Sequence, residues 1–482
     1  EPLPGVVLAH GISNSKETMT GIALELSKRG IAALSLDLVG HGASKATFGP
    51  GDPSLGMKNS LDYLKSLNKI DNKKIGVAGH SLGAGAARYV AFEEDVRATV
   101  LIGGGIGNEN INSSYGEFSY SSPKNLLVAV GQWDILIEKE TLLEEIQPAF
   151  SQKIIIGTTF GSFEKSTARK IIIPKTIHLL EPIHPEIVRE TVRWFETALI
   201  EEKNRLEADY NPTYGLRDIL LILSLVAFTG LVLPLSSFVS RFNSQLERIP
   251  PDLRMRGIYA VGGLALFFPS VLVGLIIPFP PLVFGTGMAL WLVLWGLFGL
   301  AYLYFTKKSP DPLNDIRGLL EPDGLMNGAL IFLIMYIISF GIERLTGLNL
   351  KIIVPLFRSF SSIQRFVVFP SLIPFFYLHF ASEQLYFERM SQNLWDIILA
   401  KIGGLLSIII IQYGALILGF RLLPTFAGFL VEFLLAITLI LLLTCIYSWW
   451  FGVKKGSPST AITLNALIIS WAAAGLFPLG PF

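Results

Sequence analysis

From residue 217 to the C-terminal end, apolar stretches long enough to cross a bilayer follow one another with few charges between them. About 20 apolar residues span the hydrocarbon core of a membrane. We read eight such cores: 217–239, 257–277, 282–305, 325–342, 366–382, 396–420, 426–451 and 460–479. The fourth and fifth are short, and Pro370 and Pro374 fall inside the fifth. Composition agrees: 51% of the 482 residues are hydrophobic and only 16% are charged, and mean hydropathy is +0.53. A soluble globular chain is about 45–50% apolar and about 25% charged. Residues 1–216 hold 48 of the 77 charged side chains and the remaining 266 residues hold 29, so the chain divides near residue 210.

The loops after the first, third, fifth and seventh cores carry ten Lys and Arg residues, against five in the others. By the positive-inside rule the richer set is cytoplasmic. The front part then lies outside the cell, on the side of the C-terminus. The segment Leu350–Arg365 mixes basic and apolar residues and is expected to lie along the interface. Glu1 is not a methionine, so an upstream segment is expected. The single cysteine, Cys445, forms no internal disulfide and leaves the redox compartment open.

In residues 1–207, short β-rich runs alternate with amphipathic helical ones: PGVVLAH, ETMTGIALELSKRG, IAALSLD, a helix near 55–67, and KIGVAGH. The rhythm continues through a helix from Leu82, strands VRATVLIGG, NLLVAVG and ARKIIIPKTI, and a last helix from Pro185 to about Glu207. This alternation specifies a parallel sheet with helices on both faces. Net charge is +1, and the 22 basic and 26 acidic residues of the front part form no basic stripe, which argues against a nucleic-acid partner.

The third strand ends in GHSLGAG, one hydroxyl among glycines between a strand and a helix. Gly79, Gly83 and Gly85 allow backbones to pass closely, so Ser81 can adopt a strained conformation that exposes its oxygen. A serine hydroxyl becomes nucleophilic when a base removes its proton. Of the six histidines, His10, His41 and His80 come before or inside this turn and His379 lies in the apolar half. His178, just after the strand IIIPKTI, is favoured over His184, which precedes Pro185. The orienting carboxylate is expected after the preceding strand, at Asp134 of GQWD; its rivals Glu138 and Glu140 read as first-turn helix residues. The N–H groups of Ile12, following His10-Gly11, and of Leu82 are candidate donors to a developing oxyanion.

The pieces AHGISNSKE, DLVGHGAS (37–44), GHSLGAG, GQWD and the H-x-x-E-P-x-x-P-E pattern from His178 resemble the α/β-hydrolase superfamily over about the first 200 residues. The resemblance implies that Ser81, Asp134 and His178 are nucleophile, acid and base, and that Ile12 and Leu82 form the oxyanion hole. His10, Gly11, Gly79, His80 and Gly83 are the supporting motif residues. It implies no cofactor and no metal. Two departures stand out. Only nine residues precede His10 where the family has earlier strands, and the polar linker 107–124 replaces the helical lid of many members.

The expected organisation is an α/β-hydrolase domain (1–207), a linker (208–216) and a transmembrane helical domain of about eight helices (217–482). Two function classes compete. One is a membrane-bound serine hydrolase cleaving carboxylic esters of acyl or lipid-like substrates, with a serine peptidase sharing its triad. The other is a transporter or receptor with a regulatory hydrolase-like domain. Inside the apolar half, His379, Glu383, Lys401 and Glu432 are the clearest ionisable residues. His379 and Glu383, four apart, would face one side of a helix as a metal ligand pair, a proton relay or a structural pair, and Lys401 is expected to pair with Glu432.

Overall fold

The structure is a computed structural model. It describes residues 2–49, 51–106, 116–200, 213–239, 249–277, 279–307, 312–346, 350–351, 355–357, 359–419 and 425–480. It contains two compact units: Glu1–Leu220 with Gln412–Glu432, and Leu221–Ile411 with Phe433–Phe482.

The first unit is built on six parallel strands: β1 Leu3–Ala9, β2 Ala32–Leu36, β3 Ile70–His80, β4 Ala98–Ile102, β5 Leu126–Ala129 and β6 Arg169–Ile172. Their order across the sheet is β2-β1-β3-β4-β5-β6. The helices between them are α1 Thr20–Ser27, α2 Met57–Ser66, α3 Leu82–Glu93, α4 Lys139–Ile146 and α5 Pro185–Leu199. Successive strand residues point to opposite faces, so each strand feeds two cores. Val7, Ala9, Ile75, Val77, Leu101 and Val128 pack with α2, α3 and α4. Val6, Leu8, Ala78, Val100, Ile102 and Leu127 pack with α1 and α5 on the other face. Burial on both faces explains why these strands read as continuous apolar runs. The expected α/β sheet is present, and α5 ends at Leu199, with 201–212 outside the described residues. The last part of the domain expected to end at residue 207, most of the linker 208–216, and residues 107–115 of the polar linker likewise lie outside them.

Among the described residues, six helical segments are long and apolar enough to cross a membrane: Tyr214–Pro234, Leu253–Gly274, Gly285–Thr306, Asn314–Thr346, Ile363–Glu388 and Pro458–Leu476. The two remaining expected cores, 396–420 and 426–451, coincide with helices Leu394–Ile417 and Thr425–Tyr447. The helix Ile363–Glu383 runs unbroken through Pro370 and Pro374, a tolerance common where neighbouring helices re-satisfy the freed carbonyls. Within 350–365, Leu350–Lys351 and Pro355–Phe357 form a short antiparallel pair.

Candidate active site

The site forms at the carboxyl ends of β1, β3, β4 and β5, where an open parallel sheet presents its reactive groups. Strand β3 ends at His80 and α3 starts at Leu82, leaving Ser81 as the single turn residue. Its φ of 52° and ψ of −115° are outside the regions favoured by L-residues. The strain is held by close packing: Ser81 N–H donates to Ile102 O at 2.8 Å and Ser81 O accepts from Ala84 N–H at 3.0 Å. A Cβ at Gly79 would run into the carbonyl of Gly83. Because that obstacle is backbone, Gly79→Ala is expected to cost at least about 1–3 kcal/mol of stability, read as a lowered thermal midpoint.

The loop after β1 closes over the turn. A Cβ at Gly11 would stand 3.2 Å from Ser81 Cβ and 2.9 Å from His80 Nδ1, so a side chain there would crowd Ser81. His10 fixes this loop: its Nε2 accepts from Leu38 N–H at 3.1 Å, which leaves Nδ1–H to donate to Gly11 O at 2.7 Å. Asp37 ties the same loop to the segment after β2, accepting from Lys16 N–H and Ala43 N–H, both at 2.9 Å. Thus the AHG and DLVGHGAS pieces form one support. Among the described residues, the N–H groups of Ile12 and Leu82 donate to no other group.

His178 begins a short 3-10 turn, His178–Ile183, after β6. Its Nδ1 lies 2.8 Å from Asp134 Oδ2, and a carboxylate acceptor requires the proton on Nδ1. Nε2 therefore carries the lone pair. The other oxygen, Asp134 Oδ1, accepts from Leu136 N–H at 2.7 Å and Ile137 N–H at 3.1 Å, so the loop after β5 holds the carboxylate at both ends. Burial opposes charge on His178, but the Asp134 carboxylate, with Glu181, outweighs it and raises the imidazolium pKa above the ordinary histidine value. Burial likewise opposes ionisation of Asp134, and His178 outweighs it, leaving that carboxyl below its usual range. Ser81 and His178 flank the same strand end, with the His80 and His178 rings 4.8 Å apart. Among the described residues no hydrogen bond joins Ser81 to His178. His184 instead occupies the N-cap position of α5, without a side-chain capping bond, and makes no hydrogen bond to Asp134.

Comparison with known proteins bears on the fold of the front part. The model of the alpha/beta hydrolase family matches residues 6–161. The front of this chain is an α/β-hydrolase domain. Uncharacterized proteins of Mycobacterium bovis and Mycobacterium tuberculosis are 29% identical over 114 residues, 23% of this chain. The chain spans 31% of the length of these relatives. Among solved structures, the alpha/beta hydrolase GrgF from Penicillium sp. sh18 is 13% identical, covering 42% of this chain and 91% of its own, with a TM-score of 0.32. The monoacylglycerol lipase of Paleococcus ferrophilus is 17% identical, covering 41% and 96%, with a TM-score of 0.30.

The hydrolase domain holds a further acid, Glu181, whose role the motif alone did not disclose. It is fully buried, and its Oε1 accepts from Gly131 N–H at 2.6 Å. Its Oε2 stands 3.3 Å from His80 Nε2 and 3.6 Å from His178 Nδ1. Burial, reinforced by Asp134, pushes its pKa well above the usual carboxylate range. Burial and then the neighbouring His178 keep His80 neutral, its Nε2–H directed at His178 O at 3.1 Å. His80, His178 and Glu181 also bring one ligand atom each to within 4.8 Å of one another, a spacing compatible with a metal ion. We expect Glu181→Gln to keep the acceptor for Gly131 N–H and to leave stability nearly unchanged. Glu181→Leu, by contrast, is expected to cost about 1–3 kcal/mol through an unsatisfied buried donor, a difference that paired thermal melts would read.

Arg88 of α3 completes the frame. Its guanidinium donates to Gly105 O at 2.8 Å, Gly116 O at 2.7 Å and Glu145 Oε1 at 2.5 Å, and stacks 4.2 Å from the centroid of Phe118. The helix that follows Ser81 is thereby joined to Gly105 and Gly116, on either side of residues 107–115.

Proposed function

We propose that the chain is a membrane-bound serine hydrolase that cleaves carboxylic esters with apolar acyl groups. The observation that carries this reading is the Asp134–His178 hydrogen bond at 2.8 Å beside the strained Ser81. In the proposed reaction His178 Nε2 takes the Ser81 proton as Oγ attacks the ester carbonyl. The Ile12 and Leu82 N–H groups stabilise the oxyanion, and the imidazolium then protonates the departing alcohol. Water, activated by the same histidine, releases the acid and restores Ser81. No cofactor enters these steps. The apolar helices, in a domain proposed to run over 217–482, would keep the 1–207 domain at a bilayer where acyl substrates partition, and the lysine and arginine distribution supports an extracytoplasmic hydrolase domain. A triad of this kind also cleaves amides, so a peptidase uses the same residues.

The test is fluorophosphonate labelling of the purified full chain, followed by turnover of p-nitrophenyl esters of increasing chain length. Labelling with a preference for longer acyl groups supports the proposal. Well-folded protein that neither labels nor turns over esters would sink it and favour a transporter or receptor with a regulatory hydrolase-like domain. The spacing of His80, His178 and Glu181 supports a second reading, metal-assisted hydrolysis. That reading requires activity that a chelator abolishes and added zinc or manganese restores.

A further inference from the structure

The helices of the second unit hold a buried cluster of charge that the hydrolase chemistry does not use. Glu383 ends the helix Ile363–Glu383, Glu388 lies on the π-helical turn Gln384–Glu388 that follows, and Lys401 is on the helix Leu394–Ile417; all three are buried. Lys401 Nζ stands 2.7 Å from Glu383 Oε2 and 3.0 Å from Glu388 Oε1. The expected pairing of Lys401 with Glu432 does not occur: Glu432 Oε1 accepts from Tyr413 O–H at 2.5 Å. Ser448, on a second π-helical turn, accepts from Lys401 Nζ at 3.1 Å and from Asn465 Nδ2 at 2.8 Å. π turns concentrate at functional sites.

Charge counting makes this cluster unusual. Two carboxylates share one ammonium, so the fully ionised trio carries a net charge of −1 within an apolar bundle, where an uncompensated charge is costly. Arg389, next in sequence, is already committed to Asp315 at 2.9 Å. Tyr259 and Cys445, the other titratable groups facing the carboxylates, are ordinarily neutral at pH 7 and add no positive charge. The remaining neighbour is His379, fully buried, with Nε2 3.4 Å from Glu383 Oε1 and Nδ1 without a hydrogen-bond partner among the described residues. An imidazole with a vacant nitrogen beside an over-acidic cluster marks a place for a small cation. A group with metal-ligand spacing is found among the described residues at His80, His178 and Glu181, not here.

We propose that Glu383, Lys401 and Glu388 form a proton-binding site of the helix bundle. One proton resides on Glu388, whose only close cation among the described residues is Lys401, while Glu383, with both His379 and Lys401 beside it, stays ionised. Uptake makes the trio neutral and release returns it to −1.

The test is infrared spectroscopy of the full chain in lipid nanodiscs, read in the carboxylic-acid C=O stretch. Glu181→Gln and Glu432→Gln form the background, removing two other buried carboxyls. At pH 7 we expect one buried neutral carboxyl, lost at high pH and lost in Glu388→Gln. Charge counting also predicts its loss in Glu383→Gln, where Glu388 and Lys401 balance, and a second neutral carboxyl in Lys401→Met. Absence of the band in the background protein overturns the proposal without any cluster variant having to fold. So does a band unchanged by Glu388→Gln, or one that appears only when sodium is replaced by choline, which would assign the site to a metal cation.

Discussion

Ser81→Ala is expected to abolish fluorophosphonate labelling and to reduce ester turnover by roughly a millionfold, the scale seen when a serine nucleophile is removed from an intact triad. The prediction follows from position. Ser81 is the only residue between β3 and α3, and its backbone is anchored by Ile102 O and Ala84 N–H rather than by its hydroxyl. Removing Oγ should therefore leave the turn in place. Circular dichroism and the melting profile of the variant are expected to match the parent. Substantial turnover in a folded Ser81→Ala protein would transfer the chemistry to a bound metal or to another nucleophile.

Asp134→Asn is expected to lower kcat/KM by about four orders of magnitude, because an amide at that position can stabilise the wrong imidazole tautomer and no longer balances an imidazolium. Its pH profile gives a second readout. In the proposed mechanism the free enzyme is active when His178 is neutral, so the acid limb of kcat/KM reports its pKa. The Asp134 carboxylate raises that pKa despite burial, and the parent's limb should lie above the ordinary histidine value of about 6.5. Without the carboxylate, the limb should move to lower pH while the plateau falls. A rate loss with an unmoved limb would show that Asp134 only supports the loop through Leu136 and Ile137 N–H.

The sheet and the elbow were legible because their signals are local. Runs such as VVLA and IGVAG, bounded by glycines, specify strands buried on both faces, and a serine among glycines between strand and helix has few other uses. Asp134 and His178 were legible through their positions after strands, since a parallel sheet collects its strand ends on one edge. Glu181 was harder to read: HLLEPI resembles an ordinary helix start, and only the 3-10 turn carries its carboxyl inward to Gly131. Glu388 was missed for a related reason. A 3.6-residue period assigns inward positions along a regular helix, but the π turn over Gln384–Glu388 changes that register. Lys401 was recognised as costly and given the wrong partner, because sequence spacing cannot choose among carboxylates on different helices.

The grip of Arg88 on Gly105 and Gly116 has a consequence for how such a domain can diversify. Gly105 and Gly116, on either side of residues 107–115, are both fastened to the helix that follows Ser81, so that hold does not depend on the side chains between them. Loops with anchored stems tolerate exchange far better than the elements they join. The sequence of residues 107–115 can therefore change while Ser81, Asp134 and His178 keep their places. What varies in that segment and what is held at the strand ends become separately heritable traits of one scaffold.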